Sequence, residues 1–100
     1  MAEGAKRDQG KPQMRLILHS MPRALLAMGE VANHGAVKYS PDGWLRVPNG
    51  LERYTDALMR HVVGEGIEDA DPDSGLLHAA HAAWNALARL ELILRAKEAG

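Results

Sequence analysis

"SGLLHAAHAAWNALARLEL", residues 74–92, is the stretch whose reading decides the fold. It is rich in alanine and leucine, which favour helix because they lose little side-chain freedom there. Leu76, Ala80, Ala83, Leu87, Leu90 and Leu94 recur at spacings of three and four, the period of one helical face. That stripe reads as core, with Leu77, Trp84, Ala88 and Leu92 to one side of it. His78, His81 and Asn85 fall within about 60° of arc, displaced from the leucines. They form a polar seam where Leu or Ala would have served a core equally well. Three readings are open: hydrogen bonding across a bundle, a metal site, or the wall of a ligand pocket.

Two further helices lie upstream. Ser20 before "MPRALL" can cap a helix over residues 21–38, with Pro22 tolerated in its first turn. Met21, Leu25, Met28 and Ala32 give it an apolar face. Gly29 and Gly35 weaken it by about 1 kcal/mol each and mark places where a backbone or ligand could approach closely. "YSPDGWLRVPNG", residues 39–50, carries turn residues throughout, and its Trp44 is expected as a lid on the core. A second helix is expected from Leu51 to Val63, with Leu51, Tyr54, Leu58 and His61 or Val62 inside. "GEGIEDADPDSG", residues 64–75, is a strongly acidic loop, and Ser74 can cap the third helix, which runs to about residue 97. Ahead of all this, residues 1–13 read as a flexible arm, and "MRLILHSM" as extended chain or an opening helical turn.

The expectation is an all-α domain over residues 14–100: three main helices, two long loops. So much apolar surface on so few helices implies a homo-oligomer that completes a helical bundle. One hundred residues suit a single core. Twelve basic against thirteen acidic residues leave no long-range attraction for duplex nucleic acid or anionic membrane. The absence of cysteine excludes disulfides and thiolate metal sites. No signal-peptide core and no run of about 20 apolar residues is present, so a cytoplasmic protein is expected.

Several groups could carry chemistry. Lys38 and Tyr39 close the first helix, and Arg53 and Arg60 stand seven apart on one face of the second. Arginine can grip phosphate through a bidentate fork, and Tyr39 or Trp44 can stack on a base. The plainer reading of the arginines is surface pairing with Glu52 and Asp56. His78 and His81 need further ligands to hold zinc; His61 is a possible third and the acidic loop a possible fourth. No His-Asp pair of the HD-hydrolase kind follows these histidines. The acidic loop fits no EF-hand, but its carboxylates are of the type that attracts Mg²⁺. Walker, GxSxG and cysteine-nucleophile motifs are absent, which leaves metal-assisted phosphate chemistry or plain binding.

Taken in order, "QGKP", "EVANHGAVKY" (30–39), Trp44, "RYTDALMRHVVGE" (53–65) and "DPDSGLLHAAHAAWNAL" (71–87) resemble the dATP/dGTP diphosphohydrolase N-terminal domain family. The resemblance covers nearly the whole chain. It implies a small phage- or prophage-type protein with an all-α fold related to the MazG-like nucleotide pyrophosphohydrolases, and a purine nucleotide as ligand. It makes Lys38, Tyr39, Trp44, Arg53, Arg60, His61, His78, His81 and Asn85 the candidate nucleotide contacts. If the protein is a hydrolase, it makes Glu30, Glu65, Asp71 and Asp73 the candidate Mg²⁺ ligands. No ExxE pair stands on an expected helix: the steps from Glu65 to Glu68 and from Glu68 to Asp71 both lie in the acidic loop. The first expectation is therefore a protein that sequesters a purine nucleotide, such as a cyclic or other signalling nucleotide, without turnover. The alternatives are a Mg²⁺-dependent hydrolase releasing pyrophosphate from a (d)NTP, and an interaction module without a small ligand.

Overall fold

The computed structural model describes residues 9–100, so most of the arm expected over residues 1–13 lies outside the described residues. Four α-helices follow in chain order: α1 (Arg15–Leu18), α2 (Pro22–Lys38), α3 (Gly50–Gly64) and α4 (His78–Ala99). A 3₁₀ turn, Gly43–Arg46, lies between α2 and α3. The described residues contain no strand beyond one isolated antiparallel bridge between Ala70 and Leu77. The all-α class and the three long helices are as expected.

Both anticipated helix caps are corrected. Ser20 makes no capping bond, and α2 starts with Pro22 in its first turn and Met21 as its flanking residue. The reason lies in α1. His19 N–H donates to the Arg15 carbonyl and Met21 N–H to that of Ile17, so the chain enters α2 through a nearly continuous turn. Ser74 does not cap α4 either, because the chain between 69 and 77 folds back on itself first. Asp71 N–H donates to the Leu76 carbonyl and His78 N–H to that of Asp69, each at 2.8 Å. Leu77 is held extended by its bridge to Ala70, and the reversal requires Gly75 at φ +75°, which a side chain would resist. Helix α4 therefore begins at His78. At the other junction, Asn49 enters α3 in the left-handed region, which asparagine tolerates better than most residues.

Helix α4 is the centre of the architecture. Helices α2 and α3 each pack on α4 and, among the described residues, not on each other. The face of α4 that lies beneath them is His78, His81, Asn85 and Ala88, joined by Ala80 and Ala82. This reverses the expected polarity of the helix. The polar seam is buried, whereas Leu87, Leu90 and Leu94 are 53%, 51% and 46% exposed and do not form the core of this chain. The reversal has a steric cause: small alanines on the inner face let α3 approach closely, and the imidazoles find partners there. Among the described residues, the short helix α1 does not pack on α4 to cover the outer leucines.

Candidate functional site

Because α2 and α3 stand apart on α4, a cleft of about 380 Å³ opens between them. Its floor is His81, Trp84 and Asn85 of α4. One wall is the α2 face carrying Val31, His34, Gly35 and Lys38, continued by Tyr39 and Ser40. The other is Arg53, Tyr54, Ala57, Arg60 and His61 of α3, and the ends are closed by Trp44 and by Asp71, Asp73 and Ser74. Pockets of some hundreds of cubic ångströms are the size that holds small organic ligands.

Eight of the nine expected nucleotide contacts line this one cleft: Lys38, Tyr39, Trp44, Arg53, Arg60, His61, His81 and Asn85. The ninth, His78, is buried behind the wall. Its Nδ1 lies 2.9 Å from Nδ1 of His61, so it supports a cleft residue instead of lining the cleft. Among the described residues, neither Arg53 nor Arg60 forms the ion pair with Glu52 or Asp56 that a purely structural role would give. Their guanidinium groups are exposed beside the cleft, with Lys38 opposite.

At one end three aromatic rings meet. Trp84 stands edge-on to Trp44 (centroids 5.8 Å apart) and to Tyr54 (5.6 Å). The Tyr54 hydroxyl donates to the Trp44 carbonyl, pinning the 3₁₀ turn against α3. Trp44 is thus held as the lid expected of it. At the other end lie the imidazoles. The His61 ring stacks on His81 with centroids 4.5 Å apart and planes within 8°. Ser74 Oγ lies 2.7 Å from His81 Nε2 and accepts the Leu76 N–H. Asn85 Nδ2 donates to the His81 carbonyl one turn back. Burial pushes both His61 and His81 below the usual histidine range, and their mutual proximity adds to it; Asp71 acts in the opposite direction. At Asp71 burial raises the carboxyl. The Asp73 and Ser74 N–H groups, which both donate to its Oδ1, and the facing histidines outweigh burial and hold it below its ordinary value.

Sequence reasoning passed over four cleft residues. Tyr54 read as an inner-face residue, Trp84 as a neighbour of the apolar stripe and Ser74 as a helix cap, and His34 was given no role. His34 had a legible signal, since it stands four residues before Lys38 on the same face of α2. Ser74 had none, because its contact with His81 depends on the folded-back loop. Of the candidate Mg²⁺ ligands, Asp71 and Asp73 reach the cleft, while Glu30 and Glu65 are exposed and lie outside it. The four do not come together as one set among the described residues. Instead, the single group of three metal-capable side chains found among them is His61, Asp71 and His78.

The dATP/dGTP diphosphohydrolase N-terminal family matches residues 1–100. The chain belongs to this family. A dATP/dGTP diphosphohydrolase of Salmonella phage PMBT28 is 41% identical over 81 residues, which is 80% of this chain and 26% of that relative. The chain therefore spans about a quarter of the relative's length. No solved structure matches it. Membership bears out the resemblance read from "RYTDALMRH" and "DPDSGLLHAAHAAWNAL", whose residues build the floor and the α3 wall of the cleft. Among the described residues no helix is long and apolar enough to cross a membrane.

Proposed function

We propose that this domain holds a purine deoxynucleoside triphosphate for hydrolysis to the monophosphate and pyrophosphate. The observation that carries the reading is the cleft. Three cations that find no acidic partner among the described residues, Lys38, Arg53 and Arg60, stand on the walls between a cluster of aromatic rings and a cluster of imidazoles. Guanidinium forks and an ammonium suit the triphosphate. Tyr39 and Trp44 suit a base face, and Asn85 with His81 offers a floor of hydrogen-bonding groups. In the reaction a water oxygen bonds to the α-phosphorus, the bond from that phosphorus to its bridging oxygen breaks, and pyrophosphate leaves.

Turnover is supported better than sequestration, because the matching phage relative is named for diphosphohydrolysis. The aligned region is a small part of that relative, so catalysis is to be tested in the full-length protein and binding in this chain. The expected outcome is that the chain binds dATP or dGTP, and that Arg53→Gln with Arg60→Gln weakens binding about tenfold or more while leaving the helical circular dichroism unchanged. Binding measured by calorimetry and pyrophosphate measured by coupled assay decide it. Intact nucleotide recovered from a full-length protein incubated with divalent cations would restore the sequestration reading. If no nucleotide binds, both readings fall.

A further inference from the structure

Where α3, the acidic loop and α4 meet, three donor groups converge. Nδ1 of His61 and Nδ1 of His78 lie 2.9 Å apart, and Oδ2 of Asp71 lies 3.8 Å from Nδ1 of His61. One donor atom from each of the three residues lies within 4.8 Å of the others. Ligands bound tetrahedrally to a zinc-sized ion at about 2.0–2.1 Å sit roughly 3.3 Å from one another. The two separations at His61 fall on either side of that distance. We propose that His61, His78 and Asp71 form a binding site for a divalent transition-metal ion of the zinc or cobalt class.

The surroundings are those of a built site. The second carboxylate oxygen of Asp71 accepts the N–H groups of Asp73 (2.7 Å) and Ser74 (3.2 Å), which leaves Oδ2 toward the histidines. His61 is fixed from the other side by stacking on His81. Gly64 gives His78 its place: a Cβ there would lie 2.8 Å from the imidazole. Outer contacts of this kind orient metal ligands and set their basicity. Two imidazoles and one carboxylate select a borderline ion over Mg²⁺. His61 and Asp71 line the cleft while His78 lies behind it, so a fourth ligand, water or a phosphate oxygen, comes from the cleft side. The site stands on its own donors and does not depend on the nucleotide reading.

The test uses the chain without a histidine tag and without nucleotide. Titration with Co²⁺ is expected to give visible ligand-field bands that saturate at one ion per chain. Zn²⁺ bleaches them, and millimolar Mg²⁺ does not. Asp71→Asn and His78→Gln are each expected to weaken Co²⁺ binding at least tenfold, and His19→Gln, outside the cluster, to leave it unchanged. Asp71 is at the wall surface, so its variant remains informative even if loss of buried His78 impairs folding. Absence of saturable bands, or binding of equal strength in Asp71→Asn, overturns the proposal.

Discussion

At the scale of single residues, the histidines govern how this chain answers to pH. His61 faces Asp71, His78 and Arg60, and His81 faces His61, Asp71, His34 and His78; burial is the largest influence on both. Each has a folded pKa below its ordinary value near 6.5, so below that value the unfolded chain takes up protons that the folded chain refuses. Stability is thus complete above about pH 6.5 and declines as pH falls from there toward the folded values. Asp71 works at lower pH, since its depressed pKa contributes stability that is lost only below its ordinary value of about 3.8. In EDTA, which keeps metal out of the comparison, the thermal midpoint is expected to drop between pH 7.5 and 5.5, and His81→Gln to flatten that drop. A midpoint that does not move across this range in the parent chain would contradict the burial argument.

At the scale of elements, the helices were legible and their inner faces less so. The periodic runs placed α2 and α3 within one residue of their ends, because turn residues bracket them on both sides. Helix α4 starts later than its composition suggests, because Asp71 and Ser74 spend their polar atoms on the folded-back loop. Its apolar period was real but did not report burial. Partners on α2 and α3 decided which face turned inward, and no single helix records its partners. The glycines make the same point. Gly29 and Gly35 read as places where a backbone or ligand could approach closely; a Cβ at either meets no protein atom within 4 Å, and Gly35 lines the cleft. Gly64, at the end of α3, is where contact is tight. Gly29→Ala is therefore expected to stabilise by about 0.5–1 kcal/mol through helix propensity. Gly64→Ala is expected to destabilise by roughly 1–3 kcal/mol, because His78 must move. Urea unfolding of the two variants checks both signs, and a neutral Gly64→Ala would mean that His78 has room to shift.

At the scale of the whole molecule, this chain alone is short of core. Among the described residues no side chain is fully buried, and Leu87, Leu90 and Leu94 present an apolar stripe along α4 while Leu16, Ile17 and Leu18 are exposed on α1. The Cα radius of gyration is 16.5 Å, against about 13 Å for a compact domain of this length. Exposed apolar surface of this extent drives association in water, at roughly 25 cal/mol for each Å² covered. The candidate cleft lies on the inner face of α4, so association through the outer face leaves it open. Sedimentation equilibrium of the purified chain is expected to show concentration-dependent self-association in the micromolar range. Leu87→Gln, Leu90→Gln and Leu94→Gln together are expected to shift it to monomer, with helical content kept and nucleotide affinity changed less than twofold. A parent chain that stays monomeric throughout would mean that the exposed leucines await a different partner. A triple variant that loses nucleotide binding would mean that the two faces of α4 are coupled.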